Sequence, residues 1–240
     1  MSDTNILVLQ HLDVETPGIF AELWRAAGHH VDVVELDQGE RIYDLDPYDL
    51  LVVMGGPMDV WQHDAYPWLR TEIAAIKHWV TWLKRPYLGI CLGHQLLAAA
   101  LDGEIGLMAA PEVGIADIHL TDAGTADPIF RGMPHTLPAL HWHGAAVLRP
   151  PEGCEILAGN THCPNQAMRY GRTAYGFQFH IEITETTVGD WNAIPEYRAS
   201  LEAALGKDGA DRLAADIRGA LHGFNATARQ INENFWRLCE

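Results

Sequence analysis

The stretch Tyr87–Gln95, YLGICLGHQ, is the strongest indication of the fold of this chain. It begins as a buried β-strand and continues from Leu92 as a helix, and Cys91 lies at the junction between Gly89 and Gly93. A cysteine on such a turn is typical of a nucleophile elbow, where a larger side chain at either glycine would collide with the neighbouring backbone. The amino end of the helix would favour the thiolate of Cys91. Cys91 is therefore a candidate nucleophile, and the alternative is a buried structural cysteine.

Strands and helices alternate on both sides of this turn. Leu50–Met54 is almost entirely apolar, which is typical of a strand buried on both faces in a parallel sheet. The alternation predicts an α/β fold with an open, mostly parallel sheet flanked by helices. The other predicted strands are Ile6–Gln10, Val31–Leu36 and Pro86–Ile90, and the predicted helices are Gly18–Ala27, Trp68–Leu83 and Leu92–Leu101.

The second half of the chain changes character. Short apolar stretches separated by glycine and proline predict a small antiparallel β region. Its predicted strands are Ile115–Leu120, Ala146–Leu148, Glu155–Ala158, Gln166–Tyr170 and Ala174–Phe179. From about Thr187 the pattern is helical, and its apolar positions are Leu201, Leu205, Leu213, Ile217 and Leu221. We expect one domain over residues 1–186 and a helical C-terminal extension over residues 187–240 that packs on it.

A second chemical motif, Tyr175–Glu182 or YGFQFHIE, lies at the end of the last predicted strand. Because side chains alternate along a strand, His180 and Glu182 are predicted to share a face. A carboxylate there can accept the second ring N–H of the imidazole and fix its tautomer. With Cys91 the pair would complete a cysteine–histidine–glutamate triad. Taken alone, it would be an ordinary surface pair.

A glycine-rich turn follows the apolar strand that ends at Met54. Gly55, Gly56 and Pro57 would expose backbone N–H groups at the carboxyl edge of the sheet. Together with the N–H of Leu92, they are candidates for an oxyanion hole. The alternative is an ordinary turn, since Gly-Gly-Pro is common. The turn lacks the glycine spacing and the lysine of a phosphate-binding loop.

In combination and in order, these motifs resemble the class I (triad) glutamine amidotransferases over about residues 5–185. In detail the chain is most similar to the glutaminase domain of GMP synthetase and its stand-alone relatives. Leu140–Gly144, LHWHG, is similar to the substrate-loop signature of that domain. The resemblance implies the flavodoxin-like architecture of this family.

The resemblance also implies a reaction. Cys91 attacks the side-chain amide of glutamine, and a γ-glutamyl thioester forms and is hydrolysed, so that ammonia is released. His180 transfers the protons, Glu182 orients His180, and the N–H groups of Gly56 and Leu92 hold the oxyanion. The residues implied to bind the substrate are Gln95, Trp142, His143 and Gly144.

Two positions depart from the family pattern. Ile181 stands where the family usually has proline, and because isoleucine permits an extended backbone, we expect the triad geometry to survive. Ala145 stands where the GMP synthetase signature continues with aspartate. This second departure weakens any link to the pathway of that synthetase.

Composition limits the partners and the compartment. The 240 residues include 16 Lys and Arg against 32 Asp and Glu, a formal charge of -16, so neither nucleic acid nor an anionic membrane is an expected partner. We see no signal peptide and no disulfide pattern in the 4 cysteines, so a cytoplasmic protein is expected. No cofactor is expected. No metal site is expected either, because His141 and His143 have no carboxylate or cysteine at ligand spacing.

Three functions remain open for a small-molecule substrate. The first is a glutamine amidotransferase or stand-alone glutaminase, and the second is a hydrolase or transpeptidase of other γ-glutamyl compounds. The third is a catalytically silent interaction module, against which the complete triad argues. Only 58 residues follow Glu182, too few for a ligase domain, so an enzyme that uses the ammonia would be a separate synthase subunit. We expect the C-terminal helices to cover the chain's own sheet rather than to dock such a partner.

Overall fold

The computed structural model of the protein describes residues 4–239, apart from the side chains at positions 188, 192, 196, 200 and 210. Two predictions extend beyond these residues. The absence of a signal peptide concerns Met1–Asp3, and the predicted C-terminal extension ends at Glu240; both lie outside the described residues.

Strands and helices alternate through the first half of the chain. In the second half most of the strands come first and the long helices follow. Within residues 4–239 the strands are β1 (Asn5–Gln10), β2 (His30–Glu35), β3 (Leu50–Val53), β4 (Tyr87–Ile90), β5 (Glu104–Leu120), β6 (Thr136–Arg149), β7 (Cys154–Gly159), β8 (Ala167–Tyr170) and β9 (Ala174–Phe177). The helices are α1 (Ile19–Ala26), α2 (Trp68–His78), α3 (Leu92–Ala100), α4 (Asp122–Ala126), α5 (Thr187–Ala193) and α6 (Pro195–Cys239). A π-helical turn over Trp79–Leu83 extends α2.

These strands form one sheet in the order β2-β1-β3-β4-β9-β8-β7-β5-β6. The pairings from β2 to β9 are parallel, and those from β9 to β6 are antiparallel. The predicted α/β fold, with a helix-flanked parallel sheet and an antiparallel region, is confirmed. Because the carboxyl ends of parallel strands meet at one edge, the turns after β1, β3, β4 and β9 lie together there.

The antiparallel half is longer than the sequence pattern predicted. β5 and β6 extend well beyond Ile115–Leu120 and Ala146–Leu148, the strands expected there. Their pairing shifts register between Leu107 and Glu112, a segment that includes Pro111. Proline and glycine disfavour a continuous strand, and much of β5 is exposed. The hydrophobic alternation that identifies strands is therefore weak in this hairpin.

The apolar core covers both faces of the parallel half. Nearly all residues of β1, β3 and β4 are buried, and alternate side chains point to opposite faces. One face packs against α1 and α6, and the other packs against α2 and α3. The indole N–H of Trp24 in α1 donates to Asn232 Oδ1 in α6 at 2.8 Å. In the described part of the chain, no helix combines the length and the apolarity needed to span a membrane.

The C-terminal segment is helical, as predicted, but it is not one straight helix. α5 is separate from α6, and α6 bends at Gly206, where φ is 70°. Leu201, Leu213 and Ile217 are buried in the core. Leu205 lies beside the bend and is 37% exposed.

Candidate active site

Cys91 occupies the turn between β4 and α3 in a strained backbone conformation, with φ 51° and ψ −101°. Residues with a side chain adopt such angles only where the surrounding structure enforces them. A Cβ atom at Gly89 would lie 2.6 Å from the carbonyl oxygen of Gly93, and one at Gly93 would lie 2.1 Å from that of Val53. The predicted strand–turn–helix arrangement and the need for glycine at both positions are confirmed.

The ring of His180 lies between Glu182 and Cys91. Its Nδ1 is 2.7 Å from Glu182 Oε1, and the ring lines the same small cavity as Cys91. Burial alone would lower the pKa of His180. The charge of Glu182 and the hydrogen bond to Glu182 outweigh burial and raise this pKa well above its usual value of 6.5. The charged imidazolium is therefore favoured beside the cysteine sulfur.

The backbone brings His180 to this position by a route that differs from the predicted one. β9 ends at Phe177, two residues before the predicted end, so His180 does not continue that strand. Instead its N–H donates to the carbonyl oxygen of Leu140 in β6 at 2.8 Å, and the N–H of Leu140 donates back at 3.2 Å. The antiparallel half of the sheet thus holds the histidine over the elbow.

Ile181 contributes a hydrogen bond that proline could not make. Its backbone N–H donates to Glu182 Oε2 at 2.9 Å, and proline has no N–H. The carbonyl oxygen of Glu182 accepts the N–H of Ile19 at 2.8 Å, which ties the segment to α1. His180 and Glu182 thus contact each other with isoleucine between them.

Two buried glutamines connect the elbow to the β5–β6 hairpin. Gln178 Nε2 lies 3.6 Å from Cys91 Sγ, and Gln178 Oε1 accepts from Gln95 Nε2 at 3.1 Å. Gln95 Nε2 also donates to the carbonyl oxygen of Ala145 at 3.0 Å. A donor aimed at the sulfur stabilises a thiolate. The sequence analysis assigned no role to Gln178, although it lies within YGFQFHIE.

The Gly55–Gly56 peptide faces the elbow from the end of β3. The carbonyl oxygen of Gly55 is 2.7 Å from His11 Nδ1, and the peptide bond is trans, so the Gly56 N–H points away from His11. Within residues 4–239, neither this N–H nor that of Leu92 has a hydrogen-bond acceptor. Both residues line the same cavity as Cys91. Free N–H groups beside a nucleophile are what an oxyanion hole requires.

His11 is held in turn by Glu72 of α2. His11 Nε2 lies 2.9 Å from Glu72 Oε1, and both side chains are fully buried. Burial alone would lower the pKa of His11, but the charge of Glu72 and the hydrogen bonds to Glu72 and Gly55 raise it above 6.5. Because a carbonyl oxygen only accepts hydrogen bonds, Nδ1 carries a proton and donates a hydrogen bond to Gly55.

A cavity of about 170 Å³ opens beside Cys91. It is smaller than the cavities of about 300–1,000 Å³ that hold drug-sized ligands, so it suits a ligand the size of an amino acid. Among its lining residues are seven that the sequence analysis proposed: Gly56, Cys91, Leu92, Gln95, Trp142, His143 and Gly144. The lining also includes Asp59, whose carboxyl pKa is raised by burial.

A carboxylate that the sequence analysis did not foresee lies against His143. Glu112 Oε2 is 3.1 Å from His143 Nε2 and accepts from Gln166 at 2.7 Å, and Oε1 accepts from Asn160 at 2.5 Å. Burial raises the pKa of Glu112, but the hydrogen bonds to His143 and Asn160 and the charge of His141 lower it to about 2. The argument that no carboxylate accompanies the two histidines was wrong, since ligand atoms of all three lie within 4.8 Å. Donors already occupy both Glu112 oxygens, so a hydrogen-bond network explains the cluster.

Several residues of the site were missed by sequence reasoning: His11, Glu15, Asp59, Glu72, Glu112, Gln178, Trp191 and Tyr197. His11 and Glu15 follow β1 at the carboxyl edge of the parallel strands. Sites of α/β proteins lie at that edge, so the position of these two residues was a usable signal. Trp191 and Tyr197 lie in the C-terminal helices, where no local pattern points to a site.

Known proteins are similar to this chain over most of its length. The family model described as glutamine amidotransferase class-I matches residues 19–192. The chain is 30% identical over 234 residues to the glutamine amidotransferase-like protein YfeJ of Salmonella typhimurium, which covers 96% of this chain and 93% of that protein. It is 32% identical over 160 residues to one subunit of the glutamine-hydrolyzing GMP synthase of Sulfolobus acidocaldarius, covering 66% of this chain and 80% of that one.

The fold has a close counterpart among solved structures. The crystal structure of a glutamine amidotransferase from Thermotoga maritima matches with a TM-score of 0.87 and 26% sequence identity. The match covers 100% of both chains, so it includes the long β5–β6 hairpin and the C-terminal helices.

Proposed function

We propose, since the chain belongs to the class-I glutamine amidotransferase family, that it hydrolyses the side-chain amide of glutamine to glutamate and ammonia. Members of this family are glutamine-hydrolysing enzymes. In this proposal Cys91 is the nucleophile, His180 carries the protons, and Glu182 orients His180.

One arrangement carries the proposal: Glu182 Oε1 lies 2.7 Å from His180 Nδ1, and His180 and Cys91 line the same small cavity. With Nδ1 engaged by Glu182, Nε2 is the nitrogen that remains for the sulfur. A histidine of raised pKa beside a thiol favours the thiolate–imidazolium pair. The amino end of α3 and the side-chain N–H of Gln178 also favour a negative charge on the sulfur.

In the first step the thiolate of Cys91 attacks the carbon of the side-chain amide. The amide oxygen becomes negative and accepts hydrogen bonds from the N–H groups of Gly56 and Leu92. The C–N bond then breaks as His180 Nε2 gives its proton to the nitrogen. Ammonia leaves, a γ-glutamyl thioester remains on Cys91, and His180 is neutral.

In the second step water replaces the ammonia. His180 takes a proton from this water, whose oxygen attacks the thioester carbon, and the same two N–H groups hold the second oxyanion. The C–S bond breaks, glutamate leaves, and the thiolate–imidazolium pair is restored. Water and glutamine are consumed, and ammonia and glutamate are formed.

The cavity beside Cys91 supports binding of the amino-acid end of the substrate. Asp59 supplies a carboxylate for the α-ammonium group, and the backbone of Trp142–Gly144, which lines the same cavity, supplies further polar groups. The amide of Gln95 is already bonded to Ala145 and Gln178. We therefore assign Gln95 to holding the cavity wall in position rather than to gripping the substrate.

We also propose that the chain hydrolyses glutamine without a synthase partner. In this respect it would differ from the relatives that are named as one subunit of a GMP synthase. In this chain, Trp191 and Tyr197 from its own helices line a small cavity together with Cys91 and His180, so part of the wall around the proposed catalytic pair comes from the same chain. The alternative is a chain that depends on a separate synthase subunit. Ammonia release by protein shown to be free of other polypeptides distinguishes the two.

The test of the reaction is steady-state release of ammonia and glutamate from glutamine. Wild-type protein should release both, and Cys91→Ala should lower the rate by at least about a thousandfold, because the covalent route is lost. Cys163→Ala, at a buried thiol outside the cavity, is the matched control and should retain activity. Turnover by Cys91→Ala within about tenfold of wild type would reject the proposed nucleophile.

A further inference from the structure

Glu15 is a buried carboxylate beside the proposed catalytic pair, and one of its oxygens is unused. The residue is 4% exposed, and the hydroxyl of Tyr197 donates to Oε1 at 2.5 Å. Within the described residues, no hydrogen-bond donor reaches Oε2. The space for this oxygen depends on Gly55, where a Cβ atom would lie 2.5 Å from it. Burying a polar atom without a partner costs free energy, so the position favours a ligand that supplies a donor.

Glu15 lines a small cavity that touches both reacting side chains, Cys91 and His180. The cavity volume is about 20 Å³. A cavity needs about 10–15 Å³ to hold one water molecule, so the space accommodates a single molecule of the size of water or ammonia. Its other walls are Gly56 and the aromatic rings of Trp142, Trp191 and Tyr197.

The aromatic walls pack as one group. The ring centroid of Trp191 lies 5.5 Å from that of Trp142 and 4.9 Å from that of His180. Tyr197 lies 5.7 Å from Trp142, and the indole N–H of Trp191 donates to the carbonyl oxygen of Val14 at 3.2 Å. Because Trp191 and Tyr197 belong to α5 and α6, the chain's own C-terminal helices close the cavity.

The lining suits a small hydrogen-bond donor. A carboxyl oxygen accepts hydrogen bonds in either protonation state, and the faces of indole and phenol rings attract cationic and N–H groups. Ammonia offers N–H donors on a single heavy atom. An alkylamine offers the same nitrogen but adds carbon atoms, for which these walls leave no room.

We propose that Glu15, Trp191 and Tyr197 form a subsite for the leaving ammonia, and that this subsite restricts the enzyme to the primary amide of glutamine against N-substituted γ-glutamyl amides. The inference rests on the proposed function, because it concerns the same reaction. When the C–N bond breaks, the nitrogen keeps its two hydrogens and receives the proton of His180, while the acyl carbon stays bonded to Cys91. The departing ammonia then donates a hydrogen bond to Glu15 Oε2.

The size limit is tested with three matched substrates: glutamine, γ-glutamylmethylamide and γ-glutamylethylamide, with glutamate as the common readout. Wild-type kcat/KM should fall by about a hundredfold from glutamine to the methylamide, the discrimination that one misfitting carbon can produce. Trp191→Ala removes a wall and should reduce this ratio by at least about tenfold. Tyr197→Phe keeps the ring and should keep the discrimination.

The role of the carboxylate is tested with Glu15→Gln. Tyr197 donates to one oxygen of residue 15, so the glutamine oxygen should take that position and the NH₂ group should replace Oε2. This NH₂ group and the N–H groups of the departing ammonia would then all be donors, with no acceptor between them. We therefore expect kcat for glutamine to fall by about tenfold to a hundredfold with KM little changed. Glu22→Gln, an exposed glutamate of α1, is the control for the charge change and should match wild type.

The outcomes separate the subsite from the proposed function. Equal kcat/KM for glutamine and the methylamide in wild type would overturn the subsite and leave the amidase assignment intact. Glutamate release from none of the three substrates would overturn the proposed function and the subsite with it. A folded Trp191→Ala that keeps wild-type discrimination would also overturn the subsite. Trp191→Phe serves in its place if the alanine variant does not fold.

Discussion

His11 and Glu72 form a fully buried side-chain pair, with His11 Nε2 2.9 Å from Glu72 Oε1. The other ring nitrogen of His11 donates to the carbonyl oxygen of Gly55 at 2.7 Å. Because the next peptide bond is trans, this contact fixes the direction of the Gly56 N–H. Buried charges are costly unless they are paired and hydrogen-bonded. This pair lies where it orients one of the two N–H groups proposed to hold the oxyanion.

Two substitutions of His11 should separate its two contacts. The amide nitrogen of asparagine can replace Nδ1, whereas that of glutamine replaces Nε2. His11→Gln should therefore lose the Gly55 contact and lower kcat by about tenfold to a hundredfold at unchanged KM, since an oxyanion donor acts mainly in the transition state. His11→Asn should retain more of the rate. Steady-state kinetics with His78→Gln, on the exposed face of α2, as control measure the difference; equal losses in both variants would contradict it.

Glu182→Gln should move the alkaline limb of the kcat/KM profile to lower pH. The charge of Glu182 raises the pKa of His180, so its removal lowers that pKa, and the proton needed by the leaving ammonia is lost at lower pH. Turnover should also fall, but less than in His180→Ala, because Glu182 makes no bond to the substrate. A pH profile measured beside exposed Glu185→Gln provides the test. An unmoved alkaline limb would remove Glu182 from the proposed triad.

Asp59→Asn should raise KM for glutamine by about tenfold to a hundredfold with little change in kcat. The reason is that Asp59 lines the larger cavity and would pair with the α-ammonium group, which keeps its charge throughout the reaction. Asp64→Asn, at a fully exposed aspartate, is the matched control. Initial rates over a range of glutamine concentrations measure the effect. Loss of kcat at constant KM would be inconsistent with this role.

A glutamine analogue that carries an electrophile should alkylate Cys91 faster than the other cysteines. Burial raises the pKa of Cys154 and Cys163 to about 11 and that of Cys239 to about 12, so these thiols hold little thiolate at neutral pH. Cys91 lies beside His180 and opens onto the cavity. Peptide mass spectrometry after partial labelling gives the ratio. Equal labelling of the four would mean that the elbow does not activate its thiol.

The nucleophile turn and the parallel strands could be predicted from short stretches of residues. A Cβ atom at Gly89 would collide with the backbone of Gly93 in the same turn, so the need for glycine there is local, whereas a Cβ atom at Gly93 would collide with Val53 of the neighbouring strand β3. The apolar runs of β1, β3 and β4 likewise predict burial on both faces, because this prediction requires only the residues of each strand. His180 and Glu182 lie two positions apart, so their contact survived even though β9 ends earlier than predicted.

The surroundings of the reacting groups depend instead on packing between segments far apart in the chain. Tyr197 meets Glu15 across 182 positions, and His143 meets Glu112 across 31. Hydrophobic periodicity reports which face of an element is buried, but not which element covers it. The order of the strands, the β5–β6 hairpin and the bend of α6 set those contacts. The shape of the space beside Cys91 therefore follows from the packed structure alone, and so does the presence of a carboxylate in it.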